Sequence, residues 1–488
     1  MSLLIDRISP FWSRVNGSLF PALEEADVEM TSKLYKFVAL LEFLQIELFV
    51  PLPSSYQVGA KPHDRRCLAR AFVAKAFYNA PDTKSFRDRL LHDADLRKVI
   101  GWACRGDVPS ESTFSRAFAW FADLGLTNGV LEAQIKVWLG DTIIRDVSTD
   151  ATAIEAREKP LTRAKPKTDT ALVETSSLES DVCAAETVPM PLTDSVREPP
   201  ADASLIDTVI SDVAPVTIAP WGATKPEKTT TSKKSAKKAA KHKALAKLYT
   251  PTEMTRLERQ LDQVPEMALF ALSTACDVGC KTNSTGNKDY WIGYKCHVRV
   301  AEGNLPLFAV TTSASVHDSQ VTIPMMKITD RSITSLYELE DRGYDAFYIR
   351  KAAELAGHIP IIDFIRRRGQ ERAREFEPDR AEHYKNRTVV ERFNARLKDE
   401  LGGEMVRGRG NRKVQTHLMF GLLLIFADPL LRLLKSLKCR DGITDGINWD
   451  AYGYVCLEIG DEVTIGDLLR TTCRNNNYRH HILLENFR

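Results

Sequence analysis

Apolar positions recur with two different periods along this chain, and the places where the period changes mark its organisation. Leu34, Phe37, Val38, Leu41, Leu44 and Leu48 keep helical spacing, and PSESTFSRAFAWFADLGL opens on Pro and Ser before an amphipathic run. Residues 1–140 therefore read as helical. A helix through Lys84 to Ile100, with a short link to Pro109, gives a helix-turn-helix arrangement; a packing or dimerisation module is the other reading. Arg87, Arg89, Arg97 and Arg116 lie in this region as candidate phosphate contacts. Ile143, Ile144 and Val147 then form a short apolar run ending in polar residues and Asp150, the pattern of a buried strand delivering an acid at its end. YWIGYKCHVRVAEGNLPLFAVTTSAS gives two β-rich runs around Glu302, Gly303 and Asn304, a hairpin signal. SLYELE leads into Asp341, with Gly343 beyond it to turn the chain, and HIPIIDFI reads as a fifth strand.

Next comes HYKNRTVVERFNARLKDELGG, in which Val389, Phe393, Leu397 and Leu401 make an apolar stripe every four residues. Tyr384, Arg387, Glu391 and Lys398 stand beside that stripe. At roughly 100° per residue these four fall within about 60° of one another around a helix. One face then carries a carboxylate, two cations and a phenol, a set suited to a phosphodiester beside a metal ion. Further on, HLMFGLLLIFADPLLRLLKSL is strongly apolar, but its uninterrupted run from Leu418 to Ala427 is about half of a bilayer span. Asp428 and Pro429 then break it, so it reads as a buried helix followed by a second one. VRGRGNRKVQ before it reads as a mobile phosphate-contacting loop, and no motif follows Cys439.

Composition adds bounds. With 488 residues and 43% hydrophobic content, the chain can bury a large core in two or three domains. A net charge of +2 does not itself advertise nucleic-acid binding. Charge is nevertheless segregated: Thr168 to Asp212 holds ten acidic residues and one basic one, and Lys225 to Lys247 holds nine lysines against Glu227. Such blocks predict a disordered charged insertion over 157–285, either a plain linker or a phosphate clamp. It interrupts a fold after its first strand, which is tolerable because loop-closure entropy grows slowly with length. Residues 251–270 read as a short helix ending the insertion. Nine cysteines without a paired framework, and no secretory N-terminal segment, indicate reduced thiols and a cytoplasmic protein. Cys276, Cys280, Cys296 and His297 match none of the common zinc spacings.

The Y-(2)-R-(3)-E-(6)-K spacing of Tyr384, Arg387, Glu391 and Lys398 resembles the signature of bacterial insertion-sequence DDE transposases, specifically the insertion sequence four group. Asp150 in TIIRDVSTDATAIEAREKP and Asp341 in YELEDRGYDAF resemble the motifs around that family's first and second acids. The resemblance covers about 143–156 and 290–434. It implies a ribonuclease H-like α/β core with a mixed sheet at 141–156 and 286–438, a helical N-terminal domain and a C-terminal tail at 439–488. It further implies that Asp150, Asp341 and Glu391 are catalytic and hold two magnesium ions, with manganese as the substitute, for in-line displacement at phosphorus. Tyr384, Arg387 and Lys398 are expected to contact double-stranded DNA at the transposon ends, and a homodimer is expected to bridge two ends and a target. Asp146, Asp345 and Asp363 are read as turn or surface residues, and His317 and Asp318 as a helix cap or an auxiliary group. The alternatives are a ribonuclease H-like nuclease or resolvase without strand transfer, and an idle DNA-binding protein derived from a transposase.

Overall fold

This computed structural model describes residues 28–52, 62–140, 142–160, 254–282, 285–365 and 375–440, together with Phe11 and Leu23. The acidic and lysine-rich blocks and the segment after 440 lie outside the described residues. All the described residues fall in one compact unit.

The N-terminal part is helical. Helix α1 (Ser32–Leu44) starts where the Thr31 hydroxyl accepts the Leu34 N–H, and stops at Gln45, whose φ of 45° is left-handed. Leu48, expected on the same stripe, therefore lies in a short 3-10 turn and is 52% exposed. Helix α2 (Arg65–Phe77) follows. The single helix expected from Lys84 to Ile100 is two, α3 (Thr83–His92) and α4 (Ala94–Ile100). Asp93 makes the break, ending α3 and capping α4 through its Oδ1 and the Leu96 N–H at 2.9 Å. Helices α5 (Glu111–Leu124) and α6 (Leu126–Leu139) meet at Gly125, whose φ of 67° suits glycine.

Strand β1 (Ile143–Ala156) lies within 141–156, the stretch expected as the first strand of the core, and runs six residues past Asp150, which sits within the strand rather than at its end. The span read as insertion contains two short helices and a strand well before 286, α7 (Arg256–Asp262), α8 (Pro265–Phe270) and β2 (Asp277–Thr282). The predicted hairpin is β3 (Lys288–Ala301) and β4 (Leu305–Ser313), turned by Gly303 and Asn304, both at positive φ. Then come α9 (Ser319–Thr329), β5 (Thr334–Glu340), α10 (Phe347–Leu355), β6 (Ile359–Ile362), α11 (Pro378–Lys385), α12 (Thr388–Leu401), β7 (Met405–Val406) and α13 (Asn411–Arg440).

The seven strands make one mixed sheet. β3 is antiparallel to β1, β2 and β4, while β5, β6 and β7 join in parallel pairs, β5 and β7 on β1 and β6 on β5. An α/β architecture with a mixed sheet is thus observed. Arg299 locks its centre: fully buried, it donates to Glu338 at 2.7 Å and to Thr149 at 3.3 Å, tying β3 to β5 and β1.

Helix α13 corrects the expectation of two helices. It continues through Asp428 and Pro429 as one element, touching β4 and helices α1, α2, α5, α6 and α12. Its apolar stretch Asn411–Leu434 is long and apolar enough to cross a membrane, yet 89% of that window is buried inside the protein. Asp428 does not end the helix because its carboxylate is 2% exposed and paired with Lys36, Arg396 and Arg432 at 2.7–2.9 Å. The helix is a core shared by the helical part and the sheet.

Candidate catalytic site

Asp150 and Asp341 are neighbours. Thr149 pairs with Glu340 across the parallel β1–β5 ladder, and each aspartate is the next residue along the chain from that pair. Asp341 follows directly on β5, and its Oδ1 accepts the Gly343 N–H at 2.8 Å, which turns the chain away from the sheet. Asp150 is pushed up to about 6, chiefly by burial and further by the charge of Asp341, against the pull of its own strand's Ala151 N–H and of Arg387.

Helix α12 lies across β1 and β3 and closes the site. Val389, Phe393, Leu397 and Leu401 are buried, so the apolar stripe docks as its spacing predicts. On the next face Asn394 donates from Nδ2 to Asp150 Oδ2 at 3.1 Å, while its own Oδ1 is buried without a hydrogen-bond partner. One turn earlier, Glu391 pairs with Arg387, and its side chain remains 52% exposed. The third acid is thus on the same helical face as a residue touching Asp150, but its carboxylate is turned to Arg387. Among the described residues no three His, Cys, Asp or Glu side chains are gathered as one metal-holding group.

The four signature residues do not share one helix. Tyr384 belongs to α11, and the chain turns tightly through Asn386 and Arg387 before α12 begins. The Tyr384 ring packs on Phe376 at 4.9 Å and lies 5.8 Å from the Arg387 guanidinium. Burial raises its phenol, and the charges acting on it come from Arg387, Asp363, Asp341 and Arg342, so Tyr384 and Arg387 belong to the neighbourhood of the aspartates. Lys398 does not. Half-buried two turns beyond Glu391, it is lowered by burial and then by Lys281, with Glu155 and Glu404 opposing, which puts it near the far end of β1.

Asp146 is the residue that sequence reasoning misread. Expected at a turn or the surface, it is 2% exposed on β1 and accepts from His383 Nδ1 at 2.9 Å, Asn386 Nδ2 at 2.7 Å and Arg145 Nε at 3.1 Å. Tyr337 stacks on the His383 ring at 4.0 Å. The junction between α11 and α12 is therefore pinned to the strand that carries Asp150. The one available signal was the i, i+3 pair of His383 and Asn386 beside Tyr384, polar groups with no local partner in a helix.

Asp318 stands at the start of α9 without capping it; Lys295 Nζ donates to it at 2.8 Å, and its charge reaches Asp150. His317 serves the turn instead, through Ser319 at 2.8 Å. Asp345 and Asp363 pair with Arg350 and Arg342, as turn residues do. Of the candidate phosphate contacts, Arg97 is excluded: it is buried and donates to the Leu90 and Leu91 carbonyls at the end of α3. Arg87 donates to the Pro109 carbonyl, Arg89 lies over the Tyr78 ring at 3.9 Å, and Arg116 is exposed. Cys276, Cys280 and Cys296 are free thiols, Cys276 and Cys296 buried and Cys280 exposed, and form no metal group with His297.

The site accepts a divalent cation in chemical terms. Two adjacent carboxylates and the unpartnered Asn394 Oδ1 are hard oxygen donors, and a cation offsets both the burial and the Asp341 charge that raise Asp150. Residues 275–427 match the model of the transposase DDE domain, and residues 23–120 match a separate transposase domain. The chain belongs to the insertion-sequence DDE transposases. Strand β1, with Asp150, precedes the matched DDE segment in sequence yet lies beside β5 in the same sheet. No curated protein and no solved structure matches the chain.

Proposed function

We propose that the chain is a metal-dependent DNA transposase of the insertion sequence four group, with a ribonuclease H-like core, that cuts DNA at the ends of its element and joins the freed 3′-hydroxyl to a target. The observation that carries this reading is the adjacency of Asp150 and Asp341, each the residue after the Thr149–Glu340 pair of β1 and β5, with the Arg387 charge acting on Asp150 and Asn394 donating to it. Asp150 and Asp341 would hold the divalent cation, magnesium or manganese, and Glu391 would complete the set by leaving Arg387 as phosphate takes that guanidinium over. The bound metal supplies activation of the attacking oxygen and stabilisation of the leaving one. Arg387 binds the phosphate through two donors, Tyr384 offers a ring for an unpaired base, Lys398 contributes a point charge to the backbone, and Asn394 orients Asp150. The working form is a cytoplasmic homodimer bridging two ends.

A plasmid carrying the DNA that flanks the gene, incubated with the full chain, magnesium and a target plasmid, tests the proposal. Excision followed by joined products is the expected result. Efficient cutting with no joined product identifies a nuclease or resolvase, and end binding with no cutting identifies an idle derivative.

A further inference from the structure

Exposed cations gather at the far end of β1, away from the aspartates. Arg157 follows directly on β1, and Lys281 lies near the end of β2; both are exposed. The pairing of Glu155 with Met405 and Ala156 with Val406 brings the loop after β7 alongside. There the Arg157 N–H donates to the Val406 carbonyl at 3.4 Å, and the Gly410 N–H donates to Glu158 Oε1 at 2.6 Å. The loop expected to be mobile is thus fastened at Val406 and Gly410 to the residues that follow β1, with the exposed Arg409 between the two ties. Lys398 reaches the same end from α12, close enough to Lys281 for the two charges to interact. Arg407 differs from these, being tied to Asp82 at 2.7 Å.

Four separate segments therefore deliver Arg157, Lys281, Lys398 and Arg409 to one region. Glu155 and Glu404 face Lys398 there, while among the described residues Arg157, Lys281 and Arg409 have no paired carboxylate. A chain with a net charge of only +2 concentrates cations here at a cost in mutual repulsion, which a polyanion removes. Spacing agrees: from Asp150 to Arg157 the strand covers about 23 Å at ~3.3 Å per residue, roughly two thirds of a duplex turn.

We infer that Arg157, Lys281 and Arg409 extend the contact of Lys398 into a track that grips the phosphate backbone of the duplex arm leading away from the scissile bond. This rests on the proposed DNA activity. The track carries no base readout, so it strengthens binding to any sequence and steepens its salt dependence.

The test is fluorescence anisotropy of a labelled mixed-sequence duplex with the full chain over a series of sodium chloride concentrations. Each phosphate contact contributes roughly 0.9 to the slope of log K against log salt. The combined Arg157→Ala, Lys281→Ala and Arg409→Ala variant is expected to lose about 2.7 from that slope. A control with Lys136→Ala, Arg331→Ala and Lys351→Ala, remote from β7, is expected to lose less than about 0.5. A track variant with the wild-type slope, or a control that loses as much, overturns the track while leaving the DNA reading intact. A wild-type chain that does not bind the duplex at all overturns both.

Discussion

Asp341 stands beside Asp150 because it follows Glu340, the residue that pairs with Thr149 across the parallel β1–β5 ladder. Burial first, and then the charge of the neighbouring Asp341, raise Asp150 so that it holds its proton up to about 6. Folding alone does not offset this, whereas a divalent cation does. The same geometry brings the Arg387 charge and the Asn394 amide to Asp150.

Asp146 is expected to position the α11–α12 junction. Replacing it with alanine leaves the partly buried His383 and Asn386 donors without their acceptor, at about 1 kcal/mol for each. Asp146→Ala should therefore lower the denaturant midpoint and reduce cleavage more than DNA affinity, since Tyr384, Arg387 and Glu391 lose their register. Wild-type stability in this variant would contradict the anchoring role.

Asp428 should be the costliest single surface-to-core tether to cut. Burial alone raises its carboxyl, but Lys36, Arg396 and Arg432 overcome this and hold it well below the usual carboxylate range. Its contribution to stability is complete above the ordinary carboxylate range and is lost as pH falls through the lower folded value. Asp428→Ala removes the buried carboxylate shared by Lys36, Arg396 and Arg432, although Arg396 keeps Glu400, and should destabilise by about 3–5 kcal/mol, read from urea unfolding at neutral pH. A loss under about 1 kcal/mol, the range of exposed pairs, would show that the cluster is solvated.

Much of the fold was legible in local pattern. The apolar runs ending at Asp150 and Asp341, the turn at Gly303 and Asn304, and the stripe of α12 each depend on neighbours within a few residues. What was not legible depended on partners far along the chain. Asp146 looked like a turn aspartate because His383 and Asn386 lie more than two hundred residues away. Asp428 and Pro429 looked like a helix stop because the cations that let Asp428 stay buried come partly from α1 and α12. Tyr384 seemed to share the helix of Glu391, since spacing cannot reveal the turn that Asp146 imposes. Strand β2 escaped notice because it is largely exposed and lacks apolar alternation.

Two histidines, His297 fully buried and His417 partly so, make the fold acid-sensitive. Burial lowers both His297 and His417 from 6.5 to about 4. The unfolded chain takes up a proton near 6.5 and the native one only near 4, so each histidine removes stability as pH falls between those values, up to about 3 kcal/mol. His417→Gln, which retains a donor for the Gly402 carbonyl, should show a smaller drop in unfolding free energy between pH 7 and pH 5 than the wild type. An identical drop would mean that His417 titrates freely in the folded protein.

Cleavage by acid-deleted variants bears most directly on the central claim that Asp150, Asp341 and Glu391 act as one metal-binding set. Asp150→Asn, Asp341→Asn and Glu391→Gln should each bind end DNA within a fewfold of the wild type. Each should cut it about a thousandfold more slowly, a loss of roughly 4 kcal/mol of transition-state stabilisation. Wild-type cleavage by any one of the three would remove that residue from the set and contradict the account.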